Sequence, residues 1–240
     1  MRAGWMFLAV LAVGCAEDPG AGKTKAEVTE ATEPAKADKA KAQAAEEAVT
    51  FMDVNVEKSK IGALGAKITA EHPIDFPKFT GKVGMASGKV QKVEFEVDMA
   101  SLVADHPKLT KHLLNEDFFD VPNHPTSTFV SKKVTEGSEA EGMTHTITGD
   151  LTIRGTTKQV KFPANVTIER GEVSAKSEFV IDRQDFGVTY PGRPDDLVKD
   201  NVAMTIHLVA NEAEAAPADA KDAKADAPAA DAKKGSKKAH

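Results

Sequence analysis

HTITGDLTIRGTTKQVKFPA, residues 145–164, is the stretch that decides the fold. Ile147, Leu151 and Ile153 alternate with Thr146, Thr148, Asp150, Thr152 and Arg154. Period two is the pattern of a strand with one apolar and one polar face. Gly155-Thr156-Thr157 interrupts the alternation, which resumes at Val160, Phe162 and Ala164. Two strands around a glycine-containing turn make a β-hairpin. Its many β-branched residues suit a pleated, half-buried surface. A lone hairpin is not stable in water, so the apolar face requires further strands. On the polar face, Asp150 and Arg154 are placed to form a surface ion pair worth little.

The partners lie on both sides. Val93, Phe95 and Val97 alternate with Lys92, Glu94, Glu96 and Asp98 across 90–99. Alternation also marks 49–56, 126–134, 173–181 and 202–208, while 59–70 is apolar and extended, broken by Gly62 and Gly65 as a curved strand is. A short extended piece covers 82–85, and loops cover 72–77 and 182–200. Between Ser101 and Phe119 the period changes. Leu109, Leu113 and Leu114 follow Pro107 at helical spacing, with Asp105 as cap, which predicts one or two short helices. Residues 165–169 extend the second hairpin strand or curl out of it. About eight half-buried strands joined by short connections predict an all-β antiparallel domain, either a sandwich or a closed barrel. An eight-stranded barrel has room for side chains or one small ligand.

Composition sets the limits of that domain. The chain has 240 residues and a net charge of −6. Residues 16–48 and 211–240 are rich in Ala, Lys, Asp and Glu, and every aromatic beyond the first segment lies between Phe51 and Tyr190. The folded unit is therefore 49–210, a normal size for one core. Subtracting Arg2, a tether with five lysines and eight acids, and a tail with six of each leaves −4 on it. No basic stripe is present for phosphate binding, which argues against nucleic acid as a partner. The segments 16–48 and 211–240 have almost nothing to bury and read as a disordered tether and a disordered tail.

Residues 1–14 read as a signal peptide: basic Arg2, then the apolar run Trp5 to Val13, too short to span a bilayer stably, then Gly14. Leu11-Ala12-Val13-Gly14-Cys15 resembles a bacterial lipobox, in which the Cys is acylated and becomes the first mature residue. Leu stands one position earlier than the usual pattern, at Leu11 rather than at 12. Cys15 is the only cysteine, so the domain has no disulfide to staple it. Acyl chains on Cys15 would hold the protein at a membrane. Ala16 resembles the sorting residue for the outer membrane. The resulting expectation is a periplasm-facing lipoprotein of the bacterial envelope; an ordinary signal with an incidental Cys is the plainer alternative.

From about Thr50 to Ala210 the chain resembles the YceI-like family of polyisoprenoid-binding, lipocalin-like bacterial envelope proteins. Four ordered pieces carry the resemblance: Lys111-His112-Leu113 with Asp117-Phe118-Phe119-Asp120-Val121; Pro125 to Ser131; the GDLTI-x-G motif at Gly149 to Gly155; and Asp182-Arg183-Gln184-Asp185-Phe186-Gly187. Many members carry Arg-Asp where this chain has Leu109-Thr110, and a Trp in the opening strand that is absent here. The resemblance implies an extended eight-stranded antiparallel barrel holding a long isoprenoid lipid or a quinone tail, with no cofactor besides that ligand. Lumen candidates are Val93, Phe95, Val97, Phe118, Phe119, Phe129, Ile147, Leu151, Ile153, Phe162, Phe179, Met204 and Ile206; each reads equally well as plain core.

Catalytic patterns are missing. The seven histidines form no zinc-type pair with Cys or carboxylates, and no G-x-S-x-G elbow or phosphate-cradling loop occurs. Asp195-Asp196 reads as a solvated loop, and the D-R-x-D-F-G stretch as a turn device. The expected function is binding, not catalysis, with a homodimer as an assembly to test. An envelope interaction module with a filled barrel is the alternative. An enzyme on a prenyl substrate would have only His112, Asp150, Arg183 and Asp185 to draw on.

Overall fold

The structure, a computed structural model, describes residues 16–31 and 49–211. Eight long strands form a closed antiparallel barrel: β2 (Thr50–Val54), β5 (Phe79–Ala86), β6 (Lys89–Asp98), β8 (Thr126–Glu136), β9 (His145–Ile153), β10 (Thr156–Glu169), β11 (Glu172–Asp182) and β14 (Asn201–Asn211). Each pairs with the next in that order, and β14 closes the ring on β2 through Ala210↔Val54. Above that contact β14 pairs with β3 (Lys60–Ala66), which carries β4 (Glu71–Asp75) and β7 (Val103–Ala104) outward. Among the described residues one α-helix, α1 (Pro107–Leu113), lies between β7 and β8. A two-residue arm, β12 (Gly192–Arg193) with β13 (Asp196–Leu197), sits in the loop before β14.

The 145–164 hairpin is where the alternation placed it. Ile147, Gly149, Leu151 and Ile153 face inward with Val160, Phe162 and Ala164. The turn is Arg154-Gly155, one residue earlier than the glycine break indicated, because Thr156 already pairs with Ile153. Both turn residues have positive φ, 50° and 72°, the type I′ geometry that matches strand twist. Gly149 makes room for a ring: a Cβ there would lie 2.6 Å from the Phe129 ring and from the Val130 carbonyl.

Several expectations need correction. Asp150 pairs with Lys132 at 2.8 Å, not with Arg154; a bulge between Ser131 and Lys133 displaces Lys132 from the ladder. Residues 72–77 are not all loop, since β4 forms there, and Pro73 is accommodated on this short strand outside the barrel ring. Asp105 does not cap the helix. His106 does, accepting from the Lys108 N–H at 3.3 Å, while Asp105 turns to His72 at 3.0 Å. Residues 165–169 continue β10.

The tether reading of 16–48 also fails for its first part. Glu27–Glu30 forms β1, antiparallel to β10 at Lys158 to Lys161. β10 pairs with β11 only from Asn165 to Glu169, so the two splay apart above that point, and the N-terminal segment fills the split. The Val180 N–H donates to the Thr24 carbonyl at 2.9 Å and the Ala26 N–H to the Val180 carbonyl at 2.8 Å. Ala26 is buried, and the ion pairs Lys161–Glu27 and Lys158–Glu30 fasten the outside. A stretch with two inward apolar residues among Lys and Glu gives no periodic signal; a waiting backbone edge recruits it. The readings of residues 1–14, Cys15, 32–48 and 212–240 lie outside the described residues.

Arg154 ties the sequence motifs together. From its turn it donates to the Gly187 carbonyl and, at 2.7 Å, to the Glu116 carbonyl. One guanidinium thus joins the GDLTI hairpin, the Asp117-Phe118-Phe119-Asp120 segment and the Asp182–Gly187 loop. Hydrogen bonds to a charged group are worth roughly 1.5–3 kcal/mol. Arg154→Ala is expected to lower the unfolding free energy by about that amount, read as a lower denaturant midpoint; an unchanged midpoint would show that water replaces the clasp.

Candidate functional site

Alternation puts a side chain inside a barrel but says nothing about height along its axis. The structure divides the interior by height. A layer of four phenylalanines crosses it: Phe95–Phe129 with ring centroids 5.3 Å apart, Phe129–Phe162 at 5.5 Å, and Phe162–Phe179 stacked at 4.2 Å and 8°. Such pairs add about 0.5–1.5 kcal/mol each beyond area burial. Below this layer Val93, Ile147, Ala164, Ala175 and Leu208 leave a void of only about 20 Å³. Above it lies a cavity of about 610 Å³, inside the range of about 300–1,000 Å³ typical of small-ligand sites.

Eleven of the thirteen lumen candidates line the upper cavity: Phe95, Val97, Phe118, Phe119, Phe129, Leu151, Ile153, Phe162, Phe179, Met204 and Ile206. Val93 and Ile147 do not; they pack beneath the phenylalanine layer as core. Lining residues without a strand-period signal come from irregular or short pieces: Ile74 and Phe76 around β4, and Phe186, Val188 and Tyr190 in the loop after β11. Tyr190 is the single tyrosine of the chain. It packs with the His112 and Phe118 rings at 4.9 and 5.1 Å, and His112 meets Phe118 at 4.9 Å. The three rings join α1 to the 182–200 loop over the top of the cavity.

Polar groups gather at that upper end. Lys67, His72, Asp105, His106, Lys108, Arg193, Asp196 and Lys199 all border the cavity there. Most already have partners. Lys67 binds Asp196, whose Oδ1 also accepts from the Thr69 N–H at 3.2 Å and hydroxyl at 3.0 Å. The Asp195-Asp196 pair is thus not a merely solvated loop. Arg183 is buried, donating to the carbonyls of Val188, Val198 and Lys199 and to the Asp200 carboxylate at 2.8 Å. It pins the 188–200 loop against the barrel. Asp182 caps the 3-10 turn that follows, and Gly187 ends it at φ 72°.

The four residues open to an enzymatic reading do not converge. His112 and Arg183 border the cavity, Asp150 lies on the outer face of β9 against Lys132, and Asp185 is exposed. Among the described residues, no group of three or more His, Cys, Asp or Glu side chains is placed to hold a metal ion. The arrangement offers apolar enclosure with a polar rim. Filling it with an apolar chain releases roughly 0.8 kcal/mol per buried CH₂, hence about 4 kcal/mol gross per five-carbon unit. No precisely aimed donor is needed.

A family model described as the YceI-like domain matches residues 24–210, a span that takes in β1. A UPF0312 protein of Pseudomonas putida W619 is 34% identical over 125 residues, covering 49% of this chain. The match spans 64% of that relative's length, just under two thirds. Among solved structures, Burkholderia cenocepacia BcnA is similar at 26% identity and TM-score 0.57, covering 66% of this chain and 99% of that one. A polyisoprenoid binding domain from Saccharophagus degradans shares the fold at 10% identity and TM-score 0.55, covering 68% and 99% of the two chains.

Two outcomes are expected. Phe162→Ala should cost roughly 3–5 kcal/mol, as large core truncations do, and merge the upper cavity with the lower void; denaturant unfolding reads the first and crystallography the second. The Asp196 carboxyl is held below its ordinary value of 3.8, chiefly by the Lys67 hydrogen bond and with help from Thr69, against partial desolvation. A lowered folded value means this contribution is complete above 3.8 and is lost as pH falls through the lowered value. The β12–β13 arm should therefore stay docked at neutral pH and loosen only in acid. The Thr69 amide shift, followed by NMR, should move there, whereas Asp196→Asn should shift it at pH 7; a transition near neutrality would contradict this.

Proposed function

The chain belongs to the YceI-like domain family, and we propose that it binds a long isoprenoid lipid or a quinone tail in the upper barrel cavity. The observation that carries the reading is the apolar cavity of about 610 Å³ held open above the phenylalanine layer in a closed barrel. The alternative, an interaction module with a filled barrel, would leave no such space. The polyisoprenoid binding domain of Saccharophagus degradans shares this fold, and the polar rim suits a head group left near water. Binding serves storage, transport or sequestration, with no bond made or broken. Acylation at Cys15 would place the protein at the bacterial envelope facing the periplasm, with Ala16 favouring the outer membrane.

Organic extraction of the purified full chain followed by mass spectrometry is expected to release a prenyl lipid or quinone. Met204→Trp, which adds bulk at a half-buried lining position, should abolish that lipid while the circular dichroism spectrum and unfolding midpoint stay close to the parent's. Repeated recovery of empty, folded parent protein would sink the reading.

A further inference from the structure

We infer that the upper end of the barrel seats on a lipid bilayer through Ile68 and Leu197, so that the cavity opens onto the membrane. The inference rests on the lipid-binding reading for its purpose; its geometry stands on separate observations. Ile68 and Leu197 are large apolar side chains left 39% and 46% exposed. A single exposed apolar residue needs no explanation, but these two are neighbours: the Ile68 N–H donates to the Leu197 carbonyl at 3.1 Å. They also sit beside cavity-lining residues, since Lys67 bridges to Val198 in the backbone ladder. The apolar pair therefore lies on the rim of the opening.

The chain enters the fold at the same rim. The Ala16 N–H donates to the Ile68 carbonyl at 3.0 Å, and the Lys199 ammonium donates to the Ala16 carbonyl. Fifteen residues precede Ala16, and Cys15 is the next one upstream. The segment that follows is clamped. Asn201 donates to the Asp18 carboxylate at 3.3 Å, Pro19 is buried, and residues 24–30 complete the wall between β10 and β11. An acyl anchor on Cys15 would thus emerge beside Ile68, not at the end of a long free tether. Lys67 and Arg193 flank the pair with long apolar stems that suit a membrane interface. A prenyl chain crossing water would expose apolar surface in proportion to its length; an opening seated on the bilayer removes that barrier.

The test uses the full chain with Leu197→Trp, and separately with Glu141→Trp in the 137–144 connection at the opposite end. Each is reconstituted with phosphatidylethanolamine–phosphatidylglycerol vesicles carrying brominated acyl chains, and the parent chain, which loses Trp5 with residues 1–14 on processing at Cys15, supplies the tryptophan-free background. Severalfold stronger quenching at position 197 than at 141 is expected. Equal quenching at both positions, quenching at neither, or stronger quenching at 141 overturns the inference. Solvent extraction of the same preparations reports the lipid-binding reading separately. Lipid recovered without quenching at 197 removes the orientation alone, and quenching without recovered lipid leaves the orientation standing.

Discussion

The stacked rings of Phe162 and Phe179, 4.2 Å apart, decide how much of the barrel interior is core and how much is cavity. Together with Phe95 and Phe129 they close the lumen at mid-height. Below them the interior is packed; above them the side chains line a cavity of about 610 Å³. A barrel of this kind must compromise, because the same apolar residues supply folding energy and ligand surface. Placing the aromatic layer across the middle separates the two tasks by height. The close approach of Gly149 to the Phe129 ring belongs to the same device, since a side chain at that position would push the ring out of the layer.

The motif stretches meet physically above and around this layer. Ser131, at the end of one of them, accepts the Val93 N–H at 2.8 Å, where the β8 bulge interrupts the ladder. Arg154 joins the hairpin turn to Glu116 and Gly187, and Arg183 holds the loop that carries Tyr190 and Val198. Polar residues that stand out in the sequence as candidates for chemistry are thus used as fasteners. They satisfy carbonyls that strand ladders leave unpaired. What they hold in place is the roof of the cavity: α1, the His112–Phe118–Tyr190 rings and the β12–β13 arm.

Much of this was legible in the sequence. The period-two runs at 90–99, 145–164 and 173–181 gave real strands, and the glycine turn gave a real hairpin. Three kinds of feature were not legible, for different physical reasons. Alternation reports inside or outside but not height, so Val93 and Ile147 could not be told from Phe95 and Leu151 as cavity wall. β1 and β4 are recruited by unpaired edges, and their residues carry no signal of their own: Ala26 and Val28 sit among Lys and Glu, and β4 contains a proline. Asp150 and Arg154 share the polar face, but four residues along a strand are about 13 Å, and Asp150 instead meets Lys132 of the neighbouring strand, beside the bulge.

The molecule is thus a barrel of two halves, one packed for stability and one holding an open cavity. Whether that cavity carries a lipid is most directly tested by a crystal structure of the full chain taken from its own cells without organic solvent. Continuous density for an unbranched chain should fill the upper cavity from Tyr190 down to Phe162, with none below the phenylalanine layer. Met204, Val202 and Leu109 collapsed inward to close the upper cavity, with no ligand density, would contradict it.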